Sequence, residues 1–158
     1  MAEPFPIELE QLNAVLASNL VPHNTALGLH ALDCGPGWTL VRLPYAERLV
    51  GNPETGVLHG GAITATLDAV CGLSVFLAML DRPRRIATID LRIDYMGPAP
   101  AGRDVLVRGE CYKVTRNVAF SRGVAYIDDP SDPVANAAGA FMIFESESSS
   151  TLLGLGVK

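Results

Sequence analysis

The 158-residue sequence predicts an α+β fold: a curved antiparallel sheet of about five or six strands wrapped round one long central helix. Three observations carry this expectation. Residues 59–80 (HGGAITATLDAVCGLSVFLAML) form the longest helical pattern, with apolar or small residues on nearly all sides, the mark of a buried helix. The half that follows alternates with period two over four long stretches. Fifteen glycines and eleven prolines force many turns, which suits a strand-rich fold more than a helical bundle. A helix that is apolar all round needs a sheet over most of its circumference, and a curved antiparallel sheet supplies one.

The elements run in order. Ile7 to Leu20 reads as an amphipathic helix, with Ile7, Leu9, Leu12, Val15, Leu16 and Leu20 mostly at three- and four-residue spacing, ended by Pro22. Leu27 to Asp33 and Trp38 to Leu43 form a hairpin about the turn Cys34-Gly35-Pro36-Gly37. Pro44 to Gly56 reads as irregular, a functional kind of loop. The long helix is closed by Asp81 and Pro83. Ile86–Tyr95, Asp104–Val114, Val118–Ile127 and Val134–Phe144 are the long strands. The chain is expected to be a single domain over 1–158, with a helical extension over 1–24 and a flexible tail over 146–158. A half-barrel of this kind has open edges, and an open edge invites pairing with a second copy, so a homodimer or a dimer of dimers is expected.

Composition excludes several classes. About half the residues are apolar (49%) and 18% are charged, which rules out a disordered acidic chain. A net charge of −5 without a dense basic cluster makes nucleic acid and anionic membranes poor partners. Cys34, Cys71 and Cys111 are odd in number and far apart, with no CxxC or zinc spacing, so neither disulfides nor a metal are expected. Reduced thiols and the absence of a signal-peptide pattern in MAEPFPIELEQL imply a cytoplasmic protein. The charge-free run Ala69–Leu80 is twelve residues, short of the ~20 a membrane span needs.

The candidate chemistry lies in the long helix. Asp68 stands between Leu67 and Ala69 with no Lys or Arg within a turn. An unpartnered buried carboxylate costs several kcal/mol or shifts its pKa upward. Two readings fit: a general base or nucleophile in a pocket, or a residue on a polar stripe with Thr64 that faces water. At the mouth of the helix, Leu58-His59-Gly60-Gly61 offers free N–H groups at the positive dipole end, with glycine permitting close approach of a ligand oxygen. That is oxyanion-hole chemistry, or an ordinary Gly-Gly helix start with a structural histidine. The nine residues from His59 to Asp68 turn through ~900°, half a turn off-face. One straight helix does not easily deliver both groups to one centre; two helices in a symmetric dimer do.

Asn52…Gly56-Val57-Leu58-His59-Gly60-Gly61…Thr64-Ala65-Thr66-Leu67-Asp68 resembles the signature of the hotdog-fold thioesterases of the PaaI-like (phenylacetate-degradation, thioesterase superfamily member 2) group, and Thr88-Ile89-Asp90-Leu91…Asp94-Tyr95-Met96-Gly97-Pro98-Ala99 matches that family's strand and turn. The resemblance spans roughly residues 25–145. It implies hydrolysis of acyl-CoA thioesters without metal or cofactor, CoA being part of the substrate. It implies Asp68 as base or nucleophile and the Gly60 N–H as carbonyl donor. Asn52, His59 and Thr88 would position water and substrate. Tyr95, Met96 and Gly97, with Lys113, Thr115, Arg116 and Asn117, would line the pantetheine and nucleotide path. Lys113 and Arg116 read equally as solvated hairpin charges. Asn52 lies seven residues before His59, where many relatives have six. The rival readings are a non-catalytic acyl-CoA or small-ligand binding protein and, last, a hydratase, for which no second carboxylate is seen near Asp68.

Overall fold

A computed structural model describes residues 6–82 and 84–144. Two short helices come first, α1 (Leu9–Ala17) and α2 (Pro22–Leu27). The hairpin β1 (His30–Gly35) and β2 (Trp38–Leu43) is next, then a 3-10 turn Glu47–Leu49 and a small pair, β3 (Val50–Asn52) and β4 (Val57–Leu58). The long helix is α3 (Gly60–Leu77). Four long strands close the fold: β5 (Ile86–Tyr95), β6 (Val105–Val114), β7 (Val118–Tyr126) and β8 (Pro133–Ile143). The main sheet has six strands in the order β1-β2-β6-β7-β8-β5, all neighbours antiparallel, curved round α3 in the hotdog arrangement.

Three sequence expectations change. The expected helix Ile7–Leu20 is shorter, Leu9–Ala17, and Pro22 opens a second, unexpected helix as its first residue, where its fixed φ and missing N–H are tolerated. Leu27 belongs to that helix, which Gly28 ends in the left-handed region (φ 72°), and the strand starts at His30. The segment 44–56 is not wholly irregular: β3 and β4 pair within and just beyond it. The expected flexible tail and Pro83 lie outside the described residues.

The depth of α3 in the sheet is set by two glycines. Gly109 of β6 and Gly123 of β7 face each other in register. A Cβ on Gly109 would lie 2.7 Å from the Val70 carbonyl oxygen, and one on Gly123 2.9 Å from Leu67 Cδ2. Their missing side chains form a notch into which the helix backbone settles. Beside it Ser74 and Ser121, both fully buried, hydrogen-bond each other at 2.9 Å, and Ser74 also donates to the Cys71 carbonyl. These bonds satisfy the two buried hydroxyls at that contact and fix the helix's rotation. Ile63, Thr66, Leu67, Val70, Cys71, Ser74 and Val75 therefore face the sheet, all buried. By length and composition α3 is apolar enough to cross a membrane, but its place is the core of this fold.

The two sheet edges differ. β1 is covered by α1, where the Asn13 amide makes both hydrogen bonds to the backbone of Ala31, accepting from its N–H at 2.8 Å and donating to its carbonyl at 2.9 Å. One side chain thus replaces a missing strand partner and blunts the edge. At the other end β5, ten residues long, has β8 on one side and no described neighbour on the other. Gly109→Ala is expected to destabilise the protein by about 2 kcal/mol or more, because the contact is with backbone and cannot relax; urea denaturation reads it.

Candidate functional site

The N-terminus of α3 is built by three side chains. His59 is the N-cap, and its Nδ1 accepts the Gly61 N–H at 2.8 Å, the part an Asn or Asp plays elsewhere. The Tyr95 hydroxyl, from the end of β5, donates to the Gly60 carbonyl at 2.7 Å and is also hydrogen-bonded to the Thr64 hydroxyl. The Tyr95 ring lies over Gly60 so closely that a Cβ there would sit 3.2–3.3 Å from its atoms. Tyr95 thus clamps the first helical turn, a role not legible in the sequence. The Gly60 N–H, the first of the helix, precedes any intrahelical acceptor and carries the positive end of the dipole.

Asp68 sits two turns further on. Of the two readings left open, a base in a pocket or a residue on a polar stripe with Thr64, the structure shows features of both: Asp68 is half-buried like Thr64, and the Thr88 hydroxyl donates to its Oδ1 at 2.8 Å. The reason is rotational. The helix face turned to the sheet is filled, and Asp68 lies on the other face with Ala65, Ala69, Gly72, Leu73 and Phe76, all half-buried. Thr88 is aimed at it by β5, whose register shifts between Thr88 and Asp90, leaving Ile89 as a bulge; bulges re-aim side chains in this way. With one donor on Oδ1, the carboxylate retains acceptor sites for a water proton.

Asp68 and Thr88 stand in the wall of a cavity of about 600 Å³. α3 gives it Ala65, Ala69, Gly72, Leu73 and Phe76; α1, α2 and their junction give Leu16, Leu20, Val21, His23 and Asn24; the run into β5 gives Arg84, Arg85 and Ile86. None of the α1–α2 residues was singled out from the sequence. The signal that could have found them is Leu20-Val21, two large apolar residues at a helix break.

The remaining candidates fall into other places. Asn52 is exposed as the last residue of β3, where its Oδ1 accepts the Glu54 N–H at 2.9 Å and its carbonyl accepts from Gly56 at 2.8 Å; it shapes the turn that follows and does not line the cavity. Met96 and Gly97 both donate their N–H groups to the Val134 carbonyl, and Met96 Sδ accepts from Asn136. Thr115 closes the β6–β7 turn through Val118, the Arg116 carbonyl accepts from Arg84, the Asn117 carbonyl accepts from Ile143, and Lys113 is exposed. That turn lies at the start of β5 and Tyr95-Met96-Gly97 at its end, roughly 30 Å of strand away. The expected substrate path therefore divides into two groups within one protomer. Similarly, eight residues separate Gly60 from Asp68, ~12 Å along the axis.

Cysteine chemistry does not compete at the site. Burial pushes the Cys71 thiol up to about 11, opposed by its hydrogen bond with Ser121 and reinforced by the charge of Asp68. Burial also raises Cys34 and Cys111. None is poised as a thiolate nucleophile. Among the described residues, no three His, Cys, Asp or Glu side chains gather as a metal site.

This geometry has two measurable outcomes. Tyr95→Phe should lower stability by about 1 kcal/mol and speed amide exchange in the first turn of α3, since the hydroxyl's hydrogen bonds are lost. Cys71 should resist iodoacetamide at neutral pH in the folded protein and react once unfolded, as read by peptide mass spectrometry.

Comparison with known proteins places this geometry in a family. The thioesterase superfamily profile matches residues 55–134, half the chain. The medium/long-chain acyl-CoA thioesterase YigI of Salmonella typhimurium is 27% identical over 135 residues, 78% of this chain and 86% of that protein. A crystal structure of a Pseudomonas aeruginosa protein is 46% identical and superposes with a TM-score of 0.73, covering 85% of this chain and 97% of that one. The phenylacetic acid degradation protein PaaI of Thermus thermophilus, solved as an N33D mutant, is 25% identical with a TM-score of 0.67, covering 78% and 99%. The profile spans the Gly60 helix mouth, Asp68, Thr88 and Tyr95 together. The chain belongs to the thioesterase superfamily, as a PaaI-like hotdog protein.

Proposed function

We propose that the protein hydrolyses acyl-CoA thioesters to the free acid and CoA in a site shared by two subunits. The observation that carries this reading is the Asp68 carboxylate, held by Thr88 at the wall of an apolar cavity. A thioester carbonyl is already electrophilic, so a base and one oxyanion donor are sufficient machinery. Asp68 takes a proton from water as the water oxygen bonds to the carbonyl carbon. The tetrahedral oxyanion is held by an N–H group. The carbon–sulfur bond then breaks and the CoA sulfur leaves, taking the proton back from Asp68. Direct attack by the Asp68 carboxylate is the variant of this route: it expels the CoA thiolate and leaves an Asp68–acyl anhydride that water then hydrolyses, and solvent 18O in Asp68 after single turnover, from water attack at the Asp68 carboxyl carbon, marks this variant and not the base route.

The oxyanion donor is the Gly60 N–H of a second subunit. Two features support that arrangement. Within one chain Gly60 and Asp68 are ~12 Å apart along the helix, too far for one carbonyl. The open β5 edge, with Ile89, Tyr95 and Met96 each more than half exposed, offers pairing to an identical strand. An antiparallel pair of helices then sets each Gly60 against the other's Asp68. The same pairing brings the Tyr95-Met96-Gly97 end of one chain toward the Lys113–Asn117 turn of the other, reuniting the divided CoA path. His59 holds the helix mouth in shape, and Asn52 orders the loop beside it.

A thiol-release assay over a panel of acyl-CoAs tests the activity; binding of CoA esters without release would make the protein a ligand-binding module instead. Asp68→Asn is expected to lower kcat by ~10²–10⁴ while the melting temperature holds. Sharing has its own test. Gly60→Pro removes the N–H at a position where proline's φ is tolerated. Co-refolding Asp68→Asn with Gly60→Pro should restore about a quarter of wild-type activity: random pairing makes half the dimers mixed, each with one intact site. Zero recovery means that each site is made by one chain.

A further inference from the structure

The free edge of β5 carries a charge pattern that a second β5 completes. Asp90, Arg92 and Asp94 are exposed on one face of the strand, while Leu91 and Ile93, half-buried, and Tyr95, bonded to the helix tip, lie on the other. Arg92 donates from Nε and Nη2 to a single oxygen of Asp94, Oδ1, at 3.2 and 3.0 Å. Its Nη1 is left over, and Asp90 has no hydrogen-bond or ion-pair partner among the described residues. Each chain thus presents one spare donor group and one spare carboxylate, two residues apart, at an edge with no described neighbour.

Two-fold pairing of β5 with itself allows few registers. Directly opposed residues of an antiparallel pair lie on the same face, so some residue on the axis faces its own copy and defines the register. The site limits which residue that is. Thr88 holds Asp68, and Tyr95 holds the Gly60 tip. Bringing Gly60 to the partner's Asp68 therefore brings Tyr95 alongside the partner's Thr88. Arg92 stands midway between Thr88 and Tyr95 when the bulged Ile89 is counted with Asp90, so the axis passes at Arg92, Leu91 or Ile93. Charge separates the three. With the axis at Arg92, the two arginines oppose each other and Asp90 opposes the partner's Asp94; like charges directly across a pair are destabilising. With the axis at Ile93, Arg92 opposes the partner's Asp94, where both groups are already engaged within their own chains, and Asp90 comes opposite the partner's Met96. With the axis at Leu91, Asp90 opposes the partner's Arg92 on each side of the axis. Every Arg92 then lies between its own Asp94 and the partner's Asp90, one planar guanidinium serving two carboxylates.

We infer that Asp90 and Arg92 are the register key of an interface between two copies of β5: they seat the pair on Leu91, reject the neighbouring registers, and so decide whether Gly60 of one chain meets the partner's Asp68. Moving the axis by one residue slides the strands past each other by two, ~7 Å, more than a hydrogen bond can span. The catalytic consequence rests on the shared-site reading, but the register is read without any activity.

Cysteine crosslinking reads the register in the full chain. Leu91→Cys, Arg92→Cys and Ile93→Cys are each oxidised, and the linked peptides are identified by mass spectrometry. Opposed residues on paired strands have Cα atoms ~4.5–5.5 Å apart, inside disulfide range, whereas one register off they lie beyond ~7 Å and cannot join. Leu91→Cys should link to its own copy, and the other two at least about tenfold more slowly. Faster linking at 92 or 93, or none at any of the three, overturns the key. Asp90→Arg, at an exposed position, gives an independent reading by sedimentation. It should raise the dimer Kd about tenfold or more by placing like charges opposite, and adding Arg92→Asp should restore most of the affinity, since the reversed pairs again oppose. A tighter dimer from Asp90→Arg, the outcome for an axis at Arg92, or an unchanged Kd, the outcome for Ile93, overturns the inference, as does a monomeric unmodified chain. Thiol release from acyl-CoA separates the key from the reading beneath it. Linking at Leu91→Cys without hydrolysis of any acyl-CoA sustains the key and removes the enzyme; hydrolysis with linking elsewhere keeps the enzyme and removes the key.

Discussion

The structure depends on how closely one helix approaches one sheet. Gly109 and Gly123, opposed on neighbouring strands, remove the side chains that would hold α3 away, and Val70 and Leu67 occupy the space. Close approach buries seven sheet-facing residues of α3 and locks its rotation through the Ser74–Ser121 contact. The position of Asp68 is a consequence. It lies on the face the sheet does not cover because the sheet-facing positions have no room for a carboxylate. The apolar character of the helix all round then has two causes: the sheet explains one face, and the cavity explains the other.

From that rotation the site acquires two separate halves. The carboxylate with Thr88 belongs to the middle of α3, and the free N–H with His59, Thr64 and Tyr95 to its tip. A rigid helix cannot fold these together, because its axial rise is constant. The sheet edges carry the same division. The edge at β1 is closed by a single asparagine, whereas β5, which carries both Thr88 and Tyr95, is left open along ten residues. The strand with an unpaired edge is the one that holds a residue of each half-site, so strand pairing and site completion are one event in the proposed dimer.

Much of this was legible in the chain. The period-two pattern placed the bounds of β5 at Ile86–Tyr95, but not which residues face inward: the bulge at Ile89 breaks the alternation, and Ile89 and Tyr95 of the expected apolar side are exposed. The apolar run of α3 was equally plain, and the His-Gly-Gly and Asp spacing led to the family. Other features were hidden for physical reasons. Pro22 carries the same letter whether it ends a helix or begins one, and its role turns on whether the residues after it pack as a new helical turn. Asn13 looks like a solvent-facing helical residue until β1 lies beside it. Asp68 has no partner within its own helix because Thr88 is twenty residues away and reaches it only across the fold.

What the sequence determined by itself was the set of elements and the chemistry available: hydrophobic periodicity is local, so it survives without knowledge of neighbours, and a carboxylate in an apolar helix is conspicuous in one dimension. What only the tertiary structure decided was which face of α3 carries that carboxylate outward, which tyrosine clamps the helix tip, and which N-terminal residues roof the cavity. Those depend on contacts between segments distant along the chain, and such contacts are fixed by packing depth and register, quantities that no local pattern encodes.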